Sequence, residues 1–218
     1  MPPPALHLGQ ATLHGAIARY ARDFDLLEVS AAAGRLPRAR GLRSWREQVP
    51  AAFVFSVVVP DTLARLDAVA DENELARVLG AAEALRAGWL LVRTPADTTP
   101  SGRSRERLAA LVGLLRQGAA RVGWEPRGLW EPRDAERTGA ALGVHVVRDL
   151  GRDPAPPGDV VYTRLSGLGS GTRVRGSSLE RALDALAGCR EAFIVVEGKD
   201  ARRAAARVRA LAAEPTRA

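Results

Sequence analysis

The chain reads as an α/β protein, a compact TIM-type (β/α)8 barrel forming a single domain over residues 1–218. Three observations predict this. Eight short apolar runs recur along the sequence, and most are followed by a helix or by a connection of helix length. That alternation demands a parallel sheet covered on its faces, and eight such units are what a closed barrel requires. No tandem repeat of 20–50 residues and no Pro/Gly linker divides the chain. An open doubly wound parallel sheet is the alternative. At 218 residues the connections of a barrel must be economical.

The elements follow in order. Leu6-His7-Leu8-Gly9 is a first strand, and Ala11 to Arg22 carries Leu13, Ile17 and Tyr20 at near-helical spacing. Phe24 to Ser30 is a second strand, with Glu28 and Ser30 on one face, and an amphipathic piece around Leu42 and Trp45 follows. Phe53 to Val59 is β-branched and aromatic and stops at Pro60, which makes it the clearest strand. Asp71 to Ala87 is a helix with Leu75, Val78, Leu79, Ala82 and Leu85 on one stripe. Trp89 to Arg93 is the fourth strand and leaves through a loop rich in turn residues, Thr94 to Pro100. Ser104 to Gln117 is helical by its leucine spacing, with Ser104 as its cap. The stretch from Val122 to Trp130 supplies the fifth strand's end and the loop after it. A helix from about Pro132 to Leu142, a sixth strand from Leu142 to Val147 and a seventh from Val160 to Leu165 come next. Gly167 to Gly171 is a glycine-rich loop, and Ser177 or Ser178 opens the helix after it. Phe193 to Glu197 is the eighth strand, and Asp200 leads into a last helix rich in alanine and arginine.

Composition narrows the class. With 46% apolar and 26% charged residues the chain is an ordinary globule. Its single cysteine, Cys189, excludes an internal disulfide framework. No apolar run approaches the roughly 20 residues that span a bilayer, and Met1-Pro-Pro-Pro lacks a signal-peptide pattern. The expectation is a cytoplasmic protein with no membrane partner. A net charge of +7 invites a nucleic-acid reading, since cations gain affinity by releasing phosphate counterions. Yet the cations are scattered, and Lys199 is the only lysine, so the chain is arginine-rich in the manner of a GC-rich genome.

The most chemically loaded stretch is Val122 to Trp130, where a carboxylate, a guanidinium and two indoles fall within nine residues. In an extended strand Glu125 and Arg127 would share a face. At the strand ends of a barrel, Glu28, Ser56, Arg93, Glu125, Arg127, Arg148, Asp149, Arg164 and Glu197 would converge on one mouth, where sites of this fold lie. Two readings follow. Arg127, Arg164 and Arg93, with Glu28, Trp130 and Glu197 around them, bind a phosphate-bearing or otherwise anionic ligand, and Glu125 is the orienting or acid–base group. Alternatively Glu125 pairs with Arg127 or Arg164 in a self-neutralising ion network. Trp124 and Trp130 fit core or lid positions better than base-stacking platforms.

The order of motifs resembles the domain-of-unknown-function 72, or YecE-like, family. The matching pieces are Leu27-Glu28-Val29-Ser30 with Arg35-Leu36-Pro37, Trp45-Arg46-Glu47-Gln48 before Phe53-Val54-Phe55-Ser56, Trp124-Glu125-Pro126-Arg127 with Trp130, and Tyr162-Thr163-Arg164-Leu165 with Gly167. The resemblance implies a β/α barrel of the general kind of endonuclease IV and xylose isomerase, with no settled activity. The chain departs from the pattern at Ala31-Ala32-Ala33-Gly34, Val58, Ser166 and Glu197-Gly198, where the family usually carries polar or aromatic residues.

Other chemistries find less support. Zinc-dependent phosphodiester hydrolysis of the endonuclease IV type needs several clustered histidines, and only His7, His14 and His145 are present. A magnesium-type ion on Glu28, Glu125 and Glu197 is an alternative; otherwise no cofactor is expected. The glycine loop lacks the P-loop Gly-Lys-Ser/Thr, although its backbone N–H groups suit a phosphate, with Arg173 and Arg175 just beyond. Ser30 and Ser56 lack a nucleophile elbow, and Cys189 stands far from any histidine. The rival functions are a nucleic-acid-binding module and a catalytically degenerate barrel that acts as an interaction partner.

Overall fold

Eight strands alternate with helices in a computed structural model that describes residues 4–32, 34, 36–118, 120–167, 173–198 and 200–213. The strands are β1 (Ala5–Gln10), β2 (Leu26–Ser30), β3 (Val54–Val58), β4 (Trp89–Arg93), β5 (Arg121–Glu125), β6 (His145–Val146), β7 (Val160–Leu165) and β8 (Glu191–Val196). The helices are α1 (Ile17–Tyr20), α2 (Ala39–Glu47), α3 (Asp61–Ala64), α4 (Glu72–Leu85), α5 (Gly102–Leu115), α6 (Pro132–Leu142), α7 (Gly176–Ala185) and α8 (Ala201–Ala213).

Hydrogen bonding orders the strands β6-β5-β4-β3-β2-β1-β8-β7. The strand pairs β1·β2, β1·β8, β3·β4, β4·β5, β5·β6 and β7·β8 are all parallel. The order is sequential around a ring, with β1 beside β8, and it lacks the reversal that defines the switch point of a doubly wound sheet. Past β6, Arg148 makes a parallel bridge to Thr163 of β7, which lies where that order would otherwise break. The architecture is therefore the barrel rather than the open sheet.

Chain contacts divide the molecule into two compact units, Met1–Leu27 with Val147–Ala218, and Glu28–Val146. In the first unit, His7, Phe193 and Tyr162 stand in register on adjacent strands, and their rings stack. Leu8, Ala192, Ile194 and Val196 alternate with them and are buried, while α8 covers β1 and β8. In the second unit, Val146 meets Gly139 of α6, so it and its register partner Trp124 face the helix layer. By alternation Trp89, Gly123, His145, Arg93 and Glu125 lie on the opposite face of the strands.

The helix ends explain several boundaries. Asp71 caps α4 by accepting from the Glu74 backbone N–H, as such side chains do for the otherwise unpaired first-turn donors. In α5 the cap is Ser101 rather than the expected Ser104; Ser101 accepts from the Ser104 N–H, and the two hydroxyls bond each other at 2.9 Å. The helix expected over Ala11–Arg22 shrinks to the single turn of α1, because Gly15 takes φ +82 and interrupts it. The sixth strand is only His145–Val146: Gly143, in the left-handed conformation, ends α6 where an extended strand was expected to begin. Helix α7 begins at Gly176 after Arg175, ahead of both expected serine starts. Much of the expected glycine loop, from Leu168 to Gly171, lies outside the described residues, as do Ala33, Arg35 and Lys199.

Candidate functional site

Strand register brings together the charges at the carboxyl ends of β4 and β5. Arg93 and Glu125 are direct partners in the ladder, on the face turned away from the helices. Arg93 Nε donates to Glu125 Oε2 at 2.5 Å, with side chains 25% and 18% exposed. Arg93, on the neighbouring strand, is thus a partner of Glu125 that neither expected pairing, with Arg127 or with Arg164, had named. Sharing a face with Glu125 would have required Arg127 to continue the strand. It does not, because β5 ends at Glu125. Arg127 is exposed in the following loop, and its guanidinium has no hydrogen bond or ion pair among the described residues.

Thr94, at the start of the turn-rich loop after β4, ties these pieces together. It is fully buried; its N–H and its hydroxyl both donate to the Glu125 carbonyl, at 3.1 and 3.3 Å. Its hydroxyl oxygen also accepts a long bond, 3.4 Å, from the Arg127 N–H. Gly128 follows at φ +75, where a Cβ would stand 1.9 Å from the Ala96 carbonyl oxygen. The two loops therefore touch backbone to backbone, a contact only glycine permits.

Trp130 is buried behind this strand end. Its ring meets Trp124 edge-on at 4.8 Å between centroids, and Arg105 of α5 lies over it at 5.5 Å. Arg105 in turn bonds Asp134 of α6 at 2.6 Å. Trp130 thus takes part in the packing between strands and helices. The Arg105 hydrogen bond, with help from the Arg105 and Arg137 charges, holds the Asp134 carboxyl below its usual range, although burial pulls the other way.

In the first unit, Arg164 of β7 is 4% exposed and pairs with Glu197, just past β8. Alternation sets Arg164 on the same face as Tyr162, one step beyond the Tyr162–Phe193–His7 stack. Beside it, the Arg148 carbonyl accepts from the Thr163 hydroxyl at 2.7 Å and from the Arg164 N–H at 3.2 Å. Asp149 organises the turn above: its carboxylate accepts from the Ser166 N–H and hydroxyl and from the Gly151 N–H. Arg152 joins it, reaching the Ser166 and Gly167 carbonyls. In the second unit Glu28 of β2 is 2% exposed, and Ser56 of β3 is buried with its hydroxyl unbonded.

Chemically, each strand end carries a guanidinium that donates to a carboxylate, Arg93 to Glu125 and Arg164 to Glu197. Among the described residues no group of three or more His, Cys, Asp or Glu is arranged to hold a metal ion, and no helix is long and apolar enough to cross a membrane. Cys189 is a free, buried thiol; burial, and then the Asp159 charge, push its pKa up, away from nucleophilic reactivity.

A family model described as "Protein of unknown function DUF72" matches residues 9–217. The chain belongs to the DUF72 family. It is similar to the DUF72 family protein of Enterococcus faecalis (15% identity, 95% of this chain and 97% of that one, TM-score 0.76). The DUF72 family protein of Thermotoga maritima is similar as well (14%, 95% and 99%, 0.71). Endonuclease IV from Thermus thermophilus shares the fold at lower likeness (16%, 97% and 100%, 0.57). No curated protein matches. Likeness at this identity establishes the TIM-type barrel of these DUF72 proteins and of the endonuclease, and leaves chemistry to be argued from the site.

Proposed function

We propose that this DUF72 protein binds a phosphate-bearing or otherwise anionic ligand at the carboxyl ends of its strands, with Arg127 and Arg93 as its guanidinium contacts and Glu125 as the orienting or acid–base group. Arg127 carries the argument: it is exposed beside the Arg93–Glu125 pair, without a carboxylate of its own among the described residues. The fold supports the location, since sites of β/α barrels lie at the strand carboxyl ends. Arg164, held by Glu197 at the end of β7, offers the same chemistry in the first unit.

A thermal-shift panel of phosphorylated metabolites and short oligonucleotides tests the reading. At least one anion should raise the Tm of the wild type, and Arg127→Ala should lose most of that rise while keeping its unliganded Tm. No shift with any member of the panel, or an equal shift in Arg127→Ala, overturns it.

A further inference from the structure

The recess between α2 and α4 has a charge pattern that neither strand-end pair explains. It encloses about 630 Å³ and is lined by Arg43, Arg46 and Glu47 of α2, by Gly80 and Glu83 of α4, and by Arg86 at the end of α4. Arg46 is anchored from behind. Its Nη1 donates to the Phe53 carbonyl at 2.7 Å, its Nη2 to the Val49 and Pro50 carbonyls, and its guanidinium carbon lies 5.3 Å from the centroid of the Phe55 ring. All of these partners are neutral, so they orient the guanidinium without cancelling its charge.

No carboxylate cancels it either. Among the described residues none of Arg43, Arg46 and Arg86 forms an ion pair, although Glu47 and Glu83 line the same recess. Burial and then the positive charge of Arg86 hold the Arg46 pKa below its ordinary value. Arg86 also sits at φ +48, ψ +52, the left-handed helix-end conformation that glycine takes without strain. Its side chain is therefore held at this point at a conformational cost.

We propose that this recess is a second oxyanion site, separate from the strand ends, in which Arg43 and Arg86 grip a phosphate group over the fixed charge of Arg46. A phosphate accepts several N–H bonds at once and supplies the negative charge that the three guanidinium groups lack. The same phosphate chemistry belongs to a small phosphorylated molecule and to a nucleic-acid backbone.

Two variants test the proposal without disturbing the Arg46 anchor. Arg86→Gly removes one cation and installs the residue its backbone favours, so its unliganded Tm should equal or exceed that of the wild type. Arg43→Gln removes a second cation from an exposed helix position. Inorganic pyrophosphate, titrated by calorimetry, should bind the wild type, and each variant should weaken that binding by roughly tenfold, the loss of one charge-assisted contact. Arg127→Ala should leave this component unchanged, which separates failure here from failure at the strand ends. A short single-stranded oligonucleotide, titrated at two salt concentrations, identifies the source of the phosphate. Loss of its binding in Arg86→Gly and Arg43→Gln, with no response to pyrophosphate, upholds the site and assigns the phosphate to a nucleic-acid backbone. Wild-type affinity of both variants for both probes, or no binding of either probe by the wild type, overturns the proposal.

Discussion

Replacing Arg93 and Glu125 singly and together measures what the strand-end pair contributes. Two opposite charges about 4 Å apart attract by roughly 4 kcal/mol at an effective dielectric of about 20, before desolvation is subtracted. With side chains 25% and 18% exposed, the pair is neither fully solvated nor sealed from water. Its desolvation cost is correspondingly partial. A coupling energy of about 1.5–3 kcal/mol is expected, above the ~0.2–1 kcal/mol of exposed pairs. Urea denaturation of wild type, Arg93→Met, Glu125→Gln and the double variant, analysed as a cycle, gives the number free of each residue's other interactions. A coupling below about 0.5 kcal/mol would mean that water already screens the pair, and the argument from burial fails. The cycle also bears on binding. Glu125→Ala removes one carboxylate from beside Arg93, so phosphate should restore part of the lost stability; no such rescue counts against an anion at this strand end.

Two further outcomes are expected. Gly128→Ala should cost about 2 kcal/mol or more in urea denaturation, because a side chain at φ +75 is strained and its Cβ would meet the Ala96 carbonyl oxygen at 1.9 Å; a cost near zero would show that the β4 and β5 loops are not locked together. Asp134, whose folded pKa is depressed chiefly by the Arg105 hydrogen bond, stabilises the fold above the ordinary carboxylate pKa near 3.8 and loses that contribution as pH falls below it. Asp134→Asn should therefore be less stable than wild type at pH 6, with the gap closing below about pH 4 in parallel denaturation curves; a gap independent of pH would sink the assignment.

What could be read from the sequence was mostly local. Trp89–Arg93, Val160–Leu165 and Pro132–Leu142 were expected at the bounds the structure gives them. In each, apolar pattern and flanking breakers act over a few residues. Element starts and stops were less legible where one residue's backbone decides: Gly15 cuts the first helix short, and Ser101, not Ser104, closes the first turn of α5. Neither choice is visible in periodicity, which fixes a helix's stripe but not its first residue.

The site shows the same division. That charged residues crowd the ends of β4, β5 and β7 follows from strand length and order alone. Which of them meet does not, because pairing depends on register between strands that lie far apart in the chain. Arg93 and Glu125 are 32 positions apart, as are Trp89 and Arg121 at the other end of the same strand pair. Moving that register by one residue would turn Glu125 away from Arg93 and toward the helix layer, where Trp124 now packs. The Trp124–Trp130–Arg105 stack would then have to break to admit a carboxylate. The indole packing behind the strand therefore holds the charge pair in front of it. A substitution of Trp124 that shortens its side chain should loosen the pair as well as the core, so the nine-residue stretch from Val122 to Trp130 acts as one unit.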